Sequence, residues 1–385
     1  MREWAGIFDW TPEHENFRRT VIKFVQEYLR PHIEQWEEDG VTPRTVWKKA
    51  GDLGLLGIRY PETYGGLSLD ITFTLIRSLE LGHSGCAGSV LGLEVQADMA
   101  TPALANYGSK MLKERYLAPA ISGDQICGIA VTEPCAGSDV AGIQTRAVRE
   151  GDFYCLNGSK IFITNGSQAD WLCTLARTNE SEGHHAFSLF IVPTSFAGFR
   201  VSRKFSKMGY RSSDTVELSF ENMRIPADHL IGNEGMGFTY QMEQFQEERL
   251  VGAVGILGQC ERAYEITKTY IQQRQAFGKP LSKMQVTQHK MADILTEISA
   301  FRGLLVLCIS QMLKKENATQ TISMAKLFGA RVLLRTVDQC VQLHGGYGYM
   351  EEYEICRAYR DAKLLSIGGG TDEIMKQIIA KMEGF

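Results

Sequence analysis

No run of about 18 apolar residues occurs in this 385-residue chain, so a membrane-spanning helix is not expected. No G-x-G-x-x-G sits between a strand pattern and a helix pattern, which leaves a Rossmann dinucleotide site unsupported. The Walker A, H-E-x-x-H and G-x-S-x-G patterns are missing too. With them go the usual phosphate-cradling, zinc-hydrolase and nucleophile-elbow chemistries. There is no basic excess: the formal net charge is -4, whereas nucleic-acid binding needs a basic footprint. The nine cysteines form no C-x-x-C or C-x-x-H pair at metal-ligand spacing, and His184-His185 stands as an isolated pair. At this length a disulfide framework is not expected; buried free thiols in a reducing compartment are. The first residues hold no apolar signal-peptide core, and Glu3, Asp9, Glu13 and Glu15 do not suit a transit peptide. The expected location is cytoplasmic, or the mitochondrial matrix if a presequence has been removed. Internal repeats, low-complexity linkers and heptads are absent.

What is there is an ordinary globular mixture, 44% hydrophobic and 22% charged, long enough for two or three domains. Residues 1–125 read as helices. Thr11 is a candidate N-cap, and Phe17, Val21, Phe24, Val25 and Leu29 follow at helical spacing. Pro31 bends or restarts that helix. Between 126 and 232 the texture changes to short alternating segments. Asn157-Gly158 and Asn165-Gly166 are tight-turn signals, and HHAFSLFIVP and DTVELSFENMRIP are strands ending at Pro. This suggests a small antiparallel barrel or sandwich. Residues 233–385 are helical again. One very long helix starts near 236, further helices lie near 284–314 and 318–343, Gly345-Gly346-Tyr347-Gly348 breaks the pattern, and a last helix covers 371–382. The fold class is a multidomain α+β chain in α, β, α order.

Four constellations could carry chemistry. Val131-Thr132-Glu133-Pro134-Cys135-Ala136-Gly137-Ser138-Asp139 groups small residues and hydroxyls on a loop entering a sheet, able to meet a polar cofactor or to be a plain turn. In Phe162-Ile163-Thr164-Asn165-Gly166 an aromatic and a Thr share one strand face, for ring stacking or for core packing. Arg274-Gln275-Ala276-Phe277-Gly278-Lys279-Pro280 could meet phosphates, or could be a basic helix C-terminus. Gly368-Gly369-Gly370-Thr371 before a helix allows close backbone approach to a ligand, or is an interhelical loop capped by Thr371.

Taken in this order, VTEPCAGSD, KIFITNG, RQAFGKPL and QLHGGYGYMEEYEICRAYRDAKL followed by GGGTDEI resemble the signatures of the acyl-CoA dehydrogenase family, over about Phe8 to Lys381. The resemblance implies an N-terminal α-helical domain, a middle antiparallel β-barrel-like domain and a C-terminal four-helix bundle. It also implies FAD as cofactor, a homotetramer built as a dimer of dimers, and an electron-transfer flavoprotein as acceptor. Carried over by position, Thr132 and Thr164 would contact the flavin ring, with Phe162 against it where the family usually has Trp. Ser138 would touch the pyrophosphate or the CoA side. Arg274, Phe277, Gln342 and Gly346 would hold the adenosine diphosphate end of a neighbouring subunit's FAD. Thr371 and Glu373 would meet FAD at the last helix. Arg249 and Gly368 would border the substrate, and Arg211 and Ser213 would line a neighbouring loop.

Most of the family carries its catalytic Glu where this chain has Gly369, and a Gly cannot take a proton. A minority, resembling isovaleryl-CoA and long-chain acyl-CoA dehydrogenases, places that Glu on the long helix before an Arg. Gln246-Glu247-Glu248-Arg249 fits this pattern with Glu248 as base and Glu247 as competitor. Met242, Phe245, Glu248, Gly252 and Gly255 share one helical face, apolar with small residues. The reaction removes a proton next to the thioester carbonyl and a hydride from the next carbon. The base needs a pKa near working pH, and the developing enolate needs fixed donors, one of them the Gly369 N–H by resemblance. QFQEERL with SIGGGTDEIM also resembles citronellyl-CoA dehydrogenases. Medium, long or methyl-branched acyl chains are favoured, with short straight chains second. An acyl-CoA oxidase using oxygen, or a DNA-associated flavoprotein of the same fold, are the alternatives.

Overall fold

A computed structural model describes residues 10–179 and 183–385. Residues 1–9, with Glu3, Phe8 and Asp9, and residues 180–182 lie outside that description.

The helical N-terminal part comprises α1 (Pro12–Phe24), α2 (Ile33–Asp39), α3 (Arg44–Asp52), α4 (Ile71–Gly82), α5 (Ala87–Glu94), α6 (Pro102–Tyr107), α7 (Lys110–Leu112) and α8 (Ala118–Ile121). Thr11 caps α1 by donating its N–H to His14 Nδ1 at 3.1 Å. The first helix does not run through Pro31: it loosens into a π-turn at Val25–Leu29, tightens to a 3-10 turn at Arg30–His32 and resumes as α2. The missing N–H of Pro31 makes this break cheap.

The strands follow: β1 (Cys127–Ala130), β2 (Arg146–Glu150), β3 (Phe153–Thr164), β4 (Trp171–Arg177), β5 (Phe187–Pro193), β6 (Phe199–Lys204), β7 (Thr215–Pro226) and β8 (Leu230–Ile231). They form one eight-stranded sheet in the order β6-β7-β3-β2-β4-β5-β8, with β1 added beside β4. The expected antiparallel pairs β2–β3, β3–β7, β4–β5 and β6–β7 are present. The sheet is nevertheless mixed, because β4 pairs in parallel with β1 and, at one position, with β2. Strands β4 and β5 are buried on both faces. Trp171, Cys173 and Leu175 face the helical part near α6–α8, and Leu172 and Ala176 face a second core with Leu156, Val216 and Leu218. Burial on both faces explains why WLCTLA and FSLFIV read as continuous apolar runs instead of alternating ones.

The last part holds α9 (Gly237–Gln273), a two-residue-strand hairpin of β9 (Gln275–Ala276) and β10 (Lys279–Pro280), α10 (Gln285–Leu313), α11 (Thr319–His344), α12 (Glu354–Ala362) and α13 (Asp372–Met382). Helix α12 was not legible as a separate element in the sequence. The 37-residue α9 runs through the middle of the molecule. Leu250, Val254 and Leu257 pack with Ile298, Phe301, Leu305, Val332 and Val337 of α10 and α11 in the largest core cluster.

Glycines set how closely α4 meets α9. A Cβ on Gly82 would lie 2.3 Å from the Gly255 carbonyl oxygen, and a Cβ on Gly258 would lie 2.4 Å from that of Leu79. Both obstacles are backbone, so neither can rotate away. All nine cysteines are free thiols, most of them buried, and no helix among the described residues is long and apolar enough to cross a membrane.

The crossing predicts a stability contrast. Gly82→Ala should cost about 1–3 kcal/mol, the usual range for overpacking a tight interior contact. Gly252→Ala, whose Cβ would meet nothing within 4 Å, should not destabilise. Thermal melts of the two variants beside the parent check this, and equal melting temperatures would refute it.

Candidate active site

The residues singled out in the sequence fall into three groups in space. The first gathers around the middle of α9. Glu248 turns its carboxyl inward: Oε2 is buried and meets no hydrogen-bond partner among the described residues. Burial pushes this acid up to about 8; the Asp98 charge adds to the rise, and Arg249 opposes it. Glu247, the next residue, points elsewhere and is held in a two-pronged ion pair by Arg59, whose Nη2 lies 3.2 Å from Oε1. The two adjacent glutamates thus have opposite fates. One is held in an ion pair, and the other, half-buried, has one carboxyl oxygen sealed from water without a partner.

Arg249 links this stretch of helix to the glycine loop. Its Nε donates to the Gly369 carbonyl at 3.4 Å, and its guanidinium stacks on the Phe245 ring at 5.4 Å. Gly369 has φ +65° and Gly370 φ +97°, and a Cβ at Gly369 would meet nothing within 4 Å. Gly368 is exposed. No acceptor stands against the Gly369 N–H among the described residues. On the helix, Gly252 likewise borders open space. A buried carboxyl, a free N–H and bare space at two glycines therefore occur together. Thr371 does what the plainer reading of its position required: its side chain caps α13 by accepting from the Ile374 N–H at 3.3 Å. Glu373 is exposed on the first turn of that helix.

The second group lies on the sheet. The Ile161 N–H donates to the Thr132 carbonyl at 2.9 Å, which seats the 131–139 loop beside β3. The loop is pinned from below by Lys160, fully buried, which donates to Glu133 Oε1 and to the Val131 carbonyl, each at 2.8 Å. Glu133 also accepts the N–H groups of Gln144 (2.6 Å) and Thr145 (3.0 Å). Although burial raises its pKa, the Lys160 charge and these donors hold it below the ordinary carboxylate range. A register shift between Lys160 and Ile163 throws Phe162 outward at φ +59°. Phe162 is 62% exposed, an aromatic ring with one side bare, tilted against Phe205 at 5.5 Å. Thr164 follows on the same strand, and Ser138 is exposed on the loop. A bare aromatic ring is a surface that a flat, partly polar ring system can cover.

The third group lies elsewhere. Arg274 and Phe277 sit past the end of α9. From residue 248 to residue 273 the helix runs about 38 Å at 1.5 Å per residue. Arg274 stacks over Tyr347 at 5.6 Å, next to Gln342 and Gly346, which are exposed. Phe277 is 96% exposed at φ +52°. Arg211 and Ser213 are engaged otherwise, with Glu351 and with Lys207.

The chain belongs to the acyl-CoA dehydrogenase family. The family models for its N-terminal, middle and C-terminal domains match residues 11–124, 128–223 and 235–383. The mitochondrial long-chain specific acyl-CoA dehydrogenase of Mus musculus is 42% identical over 374 residues, 97% of this chain and 86% of that protein. An acyl-CoA dehydrogenase structure from Geobacillus kaustophilus superposes with a TM-score of 0.94 at 40% identity, covering 98% of this chain and 99% of that one. A glutaryl-CoA dehydrogenase from Mycobacterium smegmatis, described in complex with FADH2, gives 0.91 at 30% identity, with 97% and 95% covered. The chain is accordingly an FAD-dependent oxidoreductase acting on acyl-CoA. The bare face of Phe162 fits that cofactor.

Several neighbours of this stretch escaped the sequence reading. Arg59 and Glu247 are 188 positions apart, so no local pattern joins them. Arg77 binds Asp98 and donates to the Leu55 carbonyl at 2.9 Å. Glu94, pushed up to about 7 by burial, accepts from Ser78 Oγ at 3.0 Å. Lys326 left a signal that could have been read: it is a charge on the apolar face of α11.

The raised pKa of Glu248 fixes the sign of a pH effect. An acid whose folded pKa exceeds its unfolded value weakens the fold increasingly as pH rises from the unfolded to the folded value. Between about pH 5 and 9, Glu248→Gln should therefore gain melting temperature relative to the parent holoenzyme. The gap should be small at pH 5 and largest at pH 9. A pH-independent gap for Glu248→Gln would contradict the buried, unpaired carboxyl.

Proposed function

We propose that the chain dehydrogenates acyl-CoA thioesters to trans-2-enoyl-CoA, with Glu248 taking the α-proton. The observation that carries this reading is the contrast between the two glutamates: Glu247 is neutralised by Arg59, while Glu248 is desolvated, without a hydrogen-bond partner on Oε2, beside open space. A carboxylate needs that environment to act as base on a weak carbon acid, because desolvation brings its pKa near working pH. The Gly369 N–H, free of any acceptor, serves as donor to the thioester oxygen as it gains negative charge. Arg249 orders this corner through the Gly369 carbonyl and moderates the charge of Glu248. FAD, when bound, supplies the hydride acceptor. Thr132, Phe162 and Thr164 would hold its ring, Ser138 its pyrophosphate or the CoA side, and Thr371 and Glu373 its edge at α13.

Arg274 and Phe277 lie past the far end of α9, and Gln342 and Gly346 lie at the end of α11, where Arg274 meets Tyr347. We read them as the grip on the adenosine diphosphate end of a second subunit's FAD, in a homotetramer. The full exposure of Phe277 and Tyr349 suits burial by another copy. An electron-transfer flavoprotein is the proposed electron acceptor. Open space at Gly252 and Gly369, with likeness to a long-chain specific relative, favours medium, long or methyl-branched acyl groups over short straight ones.

Anaerobic titration with acyl-CoAs of graded length and branching, followed by flavin absorbance, tests the assignment. Glu248→Gln should retain FAD and lose bleaching rate by at least ~100-fold, in the range for removing a general base. Glu247→Gln should lose less than about fivefold. The reverse ranking would transfer the role to Glu247. Phe277→Asp should lower both FAD retention and native mass; an unchanged tetramer with full FAD would sink the intersubunit reading.

A further inference from the structure

A loop of three glycines is poorly suited to hold a catalytic N–H in place. Gly368, Gly369 and Gly370 have no side chains with which to pack, and glycine has the widest backbone freedom of any residue. Yet stabilisation of a developing oxyanion depends on donors fixed before the reaction begins. Something outside the loop must supply that order.

Two cations do, from two different helices. Arg249 on α9 donates from Nε to the Gly369 carbonyl at 3.4 Å. Lys326 on α11 donates from Nζ to the Gly370 carbonyl. Lys326 is only 5% exposed, on a face shared with Ile322, Ala325, Gly329 and Leu333, all buried. An ammonium in such a place is unfavourable unless it meets strong acceptors. The charged groups around it are Arg249 from α9 and Asp372 and Glu373 from α13. Asp372 accepts on Oδ2 from Arg331 Nε at 3.3 Å, so it is not a private counterion for Lys326. The ammonium of Lys326 donates instead to the loop carbonyl of Gly370. Charge-assisted hydrogen bonds of this kind are about twice as strong as neutral ones, and a pair on consecutive carbonyls fixes the 369–370 and 370–371 peptide planes, which limits the freedom of the adjoining 368–369 peptide that carries the Gly369 N–H.

We propose that Lys326 is a positioning residue: with Arg249 it clamps the Gly368–Gly370 loop by its carbonyls and so holds the Gly369 N–H where the thioester oxygen meets it. The inference rests on the base and donor assignment above. It adds that a lysine remote from the base in sequence sets the acidity of the substrate's α-carbon.

Exchange of α-protons for deuterons tests this apart from the redox step. The probe is a 3-thiaacyl-CoA, whose sulfur at the β position leaves no β C–H to oxidise. A proton leaves the α-carbon for Glu248 and a deuteron returns, which NMR in D2O follows on the FAD-loaded protein. Lys326→Met should slow exchange about 10- to 100-fold, the scale for small misplacement of a reacting group, while affinity for the probe changes less than about twofold. Lys326→Arg should recover the rate to within about threefold. Burial pulls the Lys326 ammonium down to about 8, so the parent's exchange rate should fall on the alkaline side, and Lys326→Arg should move that fall upward. Parent-like exchange in Lys326→Met overturns the clamp, as does an alkaline limb unmoved in Lys326→Arg. The second result decides the matter even where Lys326→Met fails to fold. Glu248→Gln, run alongside, separates the two readings. Exchange at the parent rate in that variant overturns the base assignment itself; its loss, with Lys326→Met unaffected, overturns the clamp alone.

Discussion

An acid kept in a dry place without a partner is the constraint around which this molecule is arranged. Left to itself, Glu248 would turn to water or find a cation, since burying an unpaired carboxylate is costly. Arg249 is adjacent in sequence, but its guanidinium is aimed at the Gly369 carbonyl and the Phe245 ring. Arg59, which could have neutralised the site, is spent on Glu247. Asp98, whose charge pushes Glu248 further up, is itself tied to Arg77. The two cations, Arg249 and Arg59, thus give their hydrogen bonds to other acceptors. On the proposed reading, the site's reactivity comes from this distribution of partners and not from the presence of a glutamate as such.

Keeping the acid buried also needs a helix that cannot yield. The close approach of α4 and α9 at Gly82, Gly255 and Gly258 removes the clearance into which α9 could shift, and the bundle core holds its far side. The glycines on α9 serve two different ends. Gly255 and Gly258 bring backbones together, whereas Gly252 leaves space unfilled. On the proposed reading that space belongs to the acyl chain, so one small-residue stripe supplies both rigidity and room.

Much of this was legible in the chain. The three stretches of differing texture correspond to helices, a sheet and helices. The apolar-and-small periodicity of Met242, Phe245, Glu248, Gly252 and Gly255 marked the helix face on which the unpaired carboxyl is found. The four motifs pointed to the family that the comparisons establish. What stayed hidden was pairing over long sequence distance. Period-2 patterns tell which face a residue takes but not which strand lies beside it, so the parallel neighbours of β4 left no trace. The Arg59–Glu247 and Arg77–Asp98 pairs lack a local signature for the same reason: an ion pair's partner is chosen by the fold, not by spacing. Lys326 is intermediate. Its oddity, a charge within an apolar stripe, is visible in the sequence, but its acceptor is a backbone carbonyl, which any residue type could have provided.

Placing the acid on a helix changes what the final loop must do. A loop carrying both base and donor N–H has to satisfy two geometric demands with one set of backbone angles, and its side chain can anchor it. Here the loop carries no side chain at all between residues 368 and 370, so its anchoring passes to groups that touch its carbonyls. On the proposed reading base and donor share α9 as one support, through Glu248 and Arg249, and α11 adds a second support, Lys326, to the donor's loop alone. Base and donor can still be adjusted separately: bulk added at Gly252 alters the space beside the base without touching the loop, and a change at Lys326 alters the loop without touching the base. On this view the glycines at 368–370 mark a transfer of duty. The proposed base stands on the 37-residue α9, and the loop is left with the one task that needs only backbone.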